Sequence, residues 1–247
     1  MIGFLKYPNL PQGRVTHIIA SDMSSEIIDE LENNYHIKTI VPSPLGTISG
    51  MERYHADMSV CHLGENRFVS EKDNRCMIKT LSEMGADIAY SGEITGRMPR
   101  LNVCFLKDKV IGRESVADNA ILNYCREKDI RFINVSQRYA GCSTAVVNEN
   151  AVITSDESIY KKCIENHIDV LKTDPSGIRL EGYDHGFIGG CCGLISGNIL
   201  AFSGDIRIYK DHDNIRSFLK NYSVQAVSLA KGELTDIGGL LPIMEEK

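Results

Sequence analysis

The sequence has no tryptophan, few aromatic residues and no apolar run approaching the ~20 residues that cross a bilayer. A membrane-spanning helix is therefore not expected. There is no basic excess either: 27 Lys and Arg stand against 33 Asp and Glu, leaving a formal charge of −6. A nucleic-acid binder or an anionic-membrane binder would show a basic face, so neither partner is expected. The opening MIGFLKYPNLPQG lacks a basic flank leading into an apolar stretch, so no secretory signal is predicted. No CxxC pair and no paired Cys/His spacing occurs, and neither a metal nor a cofactor is expected. Gly190-Cys-Cys-Gly193 lacks the Lys-Ser/Thr and the following helix of a phosphate loop. No heptad persists, which excludes a rod. What is present suits a folded domain: 247 residues, 43% hydrophobic, are enough for one sizeable core and too apolar for a disordered chain.

Eight cysteines stand in the chain, at 61, 76, 104, 125, 142, 163, 191 and 192. Without a secretory signal, an even count in a chain this long does not imply disulfides, and a reducing cytoplasm is the expected setting. Cys76, Cys125 and Cys163 fall inside helix-period segments and Cys61 and Cys104 inside strands, where a thiol acts as a small buried hydrophobe. Cys142, Cys191 and Cys192 lie in glycine-rich approaches to strands and are the reactive candidates.

Internal repetition organises the rest. Four stretches share an apolar strand, a polar three-residue turn and a second strand, with turns at 64–66, 107–109, 148–150 and 196–198. Each leads into a helix-period segment, at 73–85, 115–128, 156–167 and 211–222, and then into another apolar strand. In the third segment Ile159, Cys163 and Ile164 make one apolar face, and Asp156 and Asp211 are N-cap candidates. The N-terminus supplies a strand at 16–20, a helix at 24–34 and a strand at 37–41, but no first hairpin strand. The tail from Leu234 to Ile243 reads as that missing strand. The expectation is one α/β domain of five β-β-α-β units arranged as a pseudosymmetric propeller and closed by the C-terminal strand. The units are 14–44 plus 234–243, 55–92, 100–136, 142–172 and 191–230.

In such a ring the first hairpin strands line the axis, and their opening residues face one pocket. Those positions are Asp57, Asn102, Thr144, Gly193 and Asp236. Polar groups opening apolar strands are expensive to bury unless they are paired or face a ligand. His55 and Asp57 are predicted to share one face of an extended strand and to handle protons together. Glu93 is a further candidate carboxylate for the same face. The run from Asp184 and His185 through Gly186, Gly189 and Gly190 to Cys191 and Cys192 allows a backbone to approach a ligand closely. Cys142, Cys191 and Cys192 are candidate nucleophiles, with His55 or His185 as acid/base.

A fivefold ring with His55-Ala-Asp57 opening one strand, together with GFIGGCCGLISGNILAFSGDI, resembles the pentein fold of the guanidino-group modifying enzymes. Arginine and agmatine deiminases, dimethylarginine hydrolases and amidinotransferases belong there, and Tyr139 to Pro242 is similar to an uncharacterised bacterial family grouped with them. The resemblance implies a cysteine that attacks a guanidinium carbon, a histidine that moves protons and carboxylates that bind the cation. Asp57 matches the first of those acids. The late nucleophile would fall at Gly238-Gly239, where there is no cysteine. Pro99-Arg-Leu-Asn102 replaces an acid-Gly-Gly-Asp stretch, and Gly141-Cys142-Ser143 replaces the histidine of the fourth unit. Two functions follow as expectations. One is cysteine chemistry on a small cationic ligand, with Asp57, Glu93, Asn102, Thr144 and Asp236 as binding residues. The other is a non-catalytic binding or sensor protein.

Overall fold

The computed structural model describes residues 1–48, 50–92 and 99–246. Within them the polar tripeptides turn where the sequence predicts. Val60–Gly64 pairs antiparallel with Arg67–Ser70, and Cys104–Phe105 pairs with Lys109–Gly112. Thr144–Asn148 pairs with Ala151–Thr154, and Cys192–Ser196 with Ile199–Phe202. Each second strand then pairs in parallel with the strand beyond the next helix, as in Arg67↔Asp87, Lys109↔Arg131, Ala151↔Asp169 and Ile199↔Gln225. A parallel return needs a crossover, and the helix supplies it.

The four helices are Arg75–Glu83, Asn119–Glu127, Glu157–Glu165 and His212–Lys220, nine residues each. Each buries two residues four apart: Met77 and Leu81, Ile121 and Cys125, Ile159 and Cys163, Ile215 and Leu219. That spacing keeps both on one face. The fifth helix, Ser25–Asn33, does the same with Ile27 and Leu31, between the parallel strands Arg14–Ile19 and Lys38–Ile40. The antiparallel partner that this segment lacks comes from the far end of the chain, where Leu241–Glu246 runs against Arg14–Ile19.

Several expectations are corrected. The tail is not one strand: Leu234–Thr235 pairs in parallel with Ile178–Arg179, and the chain loops before Leu241–Glu246 begins. Gly238 and Gly239 hold φ of 78° and 79° in that loop, a region that favours glycine and ends the strand. Asp57 does not open a strand but sits in the single α-turn Ala56–Ser59, which Ser59 Oγ closes by donating to the Ala56 carbonyl (2.9 Å). Asn102 likewise precedes its strand. Cys76 is exposed because its helix turns Met77 and Leu81 inward, and Ile164 is exposed for the same reason. Asp156 caps its helix by accepting from the Ile159 amide (2.9 Å). Asp211 instead accepts from the Asp174 amide (2.8 Å). Ile2–Phe4 adds an unpredicted edge strand on Leu241–Glu246. No helix among the described residues is long and apolar enough to cross a membrane.

Candidate active site

The short α-turn at Ala56–Ser59 delivers Asp57 inward, and a 3-10 turn at Met51–Tyr54 delivers His55 beside it. The approach to the strand Thr144–Asn148 brings Cys142 to the same place. Cys142 Sγ donates to Asp57 Oδ2 at 2.6 Å, across 85 residues of sequence. Asn102 fixes this thiol from the other side. Its Nδ2 donates to Sγ (3.1 Å) and its Oδ1 accepts from the Cys142 amide (3.0 Å). His55, Asp57 and Cys142 offer an imidazole nitrogen, a carboxylate oxygen and a thiol within 4.8 Å of one another.

Asp236 stands behind His55, with Oδ1 3.8 Å from Nδ1. It is wholly buried and accepts from the Phe187 amide (2.9 Å) and the Gly238 amide (3.1 Å). The glycine-rich loop exists to make this fit. A Cβ at Gly190 would lie 2.0 Å from Asp236 Oδ1, and one at Gly186 would lie 2.5 Å from Asp236 Cβ. A Cβ at Gly238 would lie 2.4 Å from His55 Cβ, so the imidazole occupies the room a side chain there would need.

A cavity of about 350 Å³ opens over these groups. His55, Cys142, Asp236 and His185 line it, together with Glu52, Tyr139, Tyr183, Asp184, Leu180 and Phe187. Glu52, buried on the cavity wall, accepts the Tyr183 hydroxyl through Oε1. Tyr139 and Phe187 stack at 6.2 Å between ring centroids, a flat apolar wall beside the acids. Burial pushes the Asp57 carboxyl up to about 6, with neighbouring Asp236 adding to the rise, against the pull of His55 and the Cys142 hydrogen bond. Burial also raises Asp236, against His55 and its two amide donors. The Cys142 thiol is held well above its usual range by burial first and then by the charges of Asp57 and Asp236. With only protein groups around it, Cys142 is a thiol rather than a thiolate.

Of the predicted site residues, the structure gathers His55, Asp57, Asn102, Cys142, Asp236 and His185. Thr144 sits beside this group, its hydroxyl buried without a partner among the described residues, next to a small cavity of about 60 Å³ that Asp57 also lines. Cys191 and Cys192 are not brought to the larger cavity. Both are buried in the apolar core, their thiols donating to the carbonyls of Phe187 (3.2 Å) and Ile188 (3.3 Å). Glu93 lies outside the described residues. Glu52, Tyr139, Tyr183 and Phe187 were not anticipated. Their places depend on loops from 50–54, 139–142 and 180–189 meeting, which no local spacing encodes.

Comparison with known proteins places the chain. A family of unknown function (DUF6873) matches residues 18–241. The chain belongs to that family. No curated protein matches its sequence. Among solved structures it is similar to the amidinotransferase SxtG of Microseira wollei, from the saxitoxin biosynthetic pathway. That match has a TM-score of 0.58 at 10% identity and covers 91% of each chain. It is also similar to the inosamine-phosphate amidinotransferase of Streptomyces griseus, with a TM-score of 0.57 at 9% identity, over 98% of this chain and 96% of that one. A dimethylarginine dimethylaminohydrolase matches with a TM-score of 0.54 at 10% identity, over 92% and 96%. At such identities these likenesses show the fold, which is that of the pentein superfamily.

Proposed function

We propose that the DUF6873 chain binds a small guanidino or amidine cation in the cavity lined by His55, Cys142 and Asp236, with Asp57 hydrogen-bonded to the thiol, and that Cys142 is the nucleophile toward it. The carrying observation is the Cys142 thiol held 2.6 Å from the Asp57 carboxylate with His55 in reach. Among the described residues, the cationic partner beside these two buried carboxylates is the titratable imidazole of His55, so they suit a cationic ligand. The flat wall of Tyr139 and Phe187 suits a planar one. The bound cation would also supply the positive charge that the thiol lacks, stabilising the thiolate only when ligand is present. The thiol proton would pass to Asp57 or His55, the sulfur would add to the guanidino carbon, and an amine would leave carrying a proton. The resulting amidino-cysteine would then pass to water or to a second amine.

This assignment exchanges two positions of the resembled enzymes. By the resemblance, their late cysteine would fall at Gly238-Gly239, where Gly238 packs against His55, and their fourth-unit histidine at Gly141-Cys142-Ser143. We propose that nucleophile and acid/base have traded sides of one pocket, in a ring of five β-β-α-β units around it. The raised Cys142 thiol also supports a second reading, a sensor that binds the cation without reacting. The eight free thiols fit a reducing compartment for either.

A thermal-shift series with guanidine, agmatine, arginine and an amidine, read alongside intact-mass spectra, tests both. Stabilisation that disappears in Asp57→Asn supports the cation site, and a mass adduct that disappears in Cys142→Ser supports catalysis. Stabilisation without any adduct favours the sensor. If no cation stabilises the protein, the guanidino reading is lost.

A further inference from the structure

His55, Asp57 and Cys142 also form a donor set of a different kind. We propose that they bind one thiophilic divalent transition ion, zinc foremost, in competition with an organic cation. The inference uses the same side chains as the proposed function but not that reading: it stands whether or not guanidino compounds bind.

The donors are one imidazole nitrogen, one carboxylate oxygen and one sulfur, mutually within 4.8 Å. Zinc takes sulfur at about 2.3 Å and nitrogen or oxygen at about 2.0–2.2 Å, which brings donors to about 3–4 Å from one another. Small side-chain rotations close the difference. Two atoms of the cluster have no hydrogen-bond partner among the described residues although their side chains are buried: His55 Nε2 and Asp57 Oδ1. Buried polar atoms are rarely left unpaired, and an ion between them would satisfy both at once. Asp236 Oδ1 lies 3.8 Å from His55 Nδ1, and a small rotation would bring it into hydrogen-bond reach, where an outer carboxylate orients a ligating imidazole.

Charge and geometry agree with the donor types. A thiolate and a carboxylate neutralise a dication, so the buried cluster becomes neutral on binding. Sulfur and imidazole select zinc-like ions over magnesium or calcium, which prefer oxygen. Three protein donors leave a fourth position, which water or a ligand could fill from the cavity of about 350 Å³ that His55 and Cys142 line. The chemistry balances as a proton exchange. The ion forms a bond to Cys142 sulfur, the S–H bond breaks, and the proton now shared with Asp57 Oδ2 leaves for solvent. An ion so bound blocks Cys142 as a nucleophile.

The full chain, stripped with a chelator, is titrated with cobalt(II) and with zinc against a chromogenic chelator. One equivalent of cobalt should produce a thiolate-to-cobalt charge-transfer band and tetrahedral visible bands. Cys142→Ser should remove the charge-transfer band and weaken zinc by about 100-fold or more, and Asp57→Asn should weaken it too. Asp236→Asn should keep the band and weaken binding by about 10-fold, as loss of an outer carboxylate does. Cys76→Ser, which alters an exposed thiol, should change nothing. Circular dichroism confirms that each variant folds. The proposal is overturned if no charge-transfer band forms. It is equally overturned if the band survives Cys142→Ser, or if zinc binds Cys142→Ser and Asp57→Asn as tightly as the parent. Agmatine should weaken zinc binding only if it binds at all, which keeps the metal result separate from the guanidino result.

Discussion

Cys142 and Cys191 look alike in sequence and differ in the folded chain. Each follows a glycine and opens the approach to a strand, each is buried, and burial pushes each thiol well above its usual range. Their partners separate them. Cys191 donates to the carbonyl of Phe187, four residues back, inside the apolar core, and Cys192 repeats the arrangement with Ile188. Cys142 donates to a carboxylate from a distant turn and lines an open cavity. A glycine-rich approach therefore signals close packing. Whether it also signals chemistry depends on what another part of the chain brings to it.

The largest effect is expected where the two regions touch. The loop that carries Cys191 into the core also closes over Asp236, and Gly190 is the contact, with room for no side chain. Gly190→Ala would force Asp236 away from its amide donors and drive the loop outward. We expect a loss of about 3 kcal/mol or more in denaturant unfolding, and loss of any stabilisation by guanidino cations. Near-parent stability would mean that the loop yields freely and that the core and the site are mechanically separate.

The second test compares Asp57 with His62, five residues further along the chain and packed among apolar neighbours. His62 is buried, stacked on Phe68 at 4.5 Å, with Nε2 2.8 Å from the Glu65 carbonyl, and burial pushes it down to about 4. The unfolded chain protonates near 6.5, so its contribution is full above that pH and is lost as pH falls toward 4. Asp57 has the opposite sign. Pushed up to about 6, it favours the folded state while protonated, and that contribution is lost as pH rises from about 4 through 6. Each spans about 3 kcal/mol, and in the parent they offset one another across this window. In chelator-treated protein, Asp57→Asn should gain about 1–3 kcal/mol at pH 7 and little at pH 4, unmasking a stability that rises with pH. An equal change at both pH values would show that Asp57 titrates normally and is not a strained site group.

The periodic parts of the fold were legible because they depend on local spacing. Two apolar residues four apart define each helix face, and each polar tripeptide bends a hairpin whose partner is adjacent. Even the split N-terminal segment could be read, since its missing strand left an obvious gap. The site was legible in part. Aligning the repeats finds Asp57, Asn102, Thr144 and Asp236, and the glycine-rich approach finds Cys142, although alignment puts Asp57 on a strand instead of a turn. Alignment recovers position along a repeat and not the conformation there. Glu52, Tyr139, Tyr183 and Phe187 come from loops outside the repeating elements, so no period predicts them. Cys76 shows the limit of periodicity itself: one step around the helix from Met77 moves a thiol from core to solvent.

The smallest effect is expected at Thr144, which opens its strand at the repeat position that Asp57 and Asn102, both ahead of their strands, hold in their own repeats. Its hydroxyl is buried, has no partner among the described residues, and borders the cavity of about 60 Å³ that Asp57 also lines. A buried hydroxyl without a partner carries a desolvation penalty that valine, close in shape, would not. Thr144→Val should therefore change stability by less than about 1 kcal/mol, in the stabilising direction, and leave cation binding as it was. A loss above about 2 kcal/mol would mean that the hydroxyl is bonded through water in that cavity, with Asp57 as a further partner, since a water there needs several polar partners. The acid group would then extend from the open cavity through Asp57 into the interior, and Thr144 would belong with Cys142 rather than with Cys191.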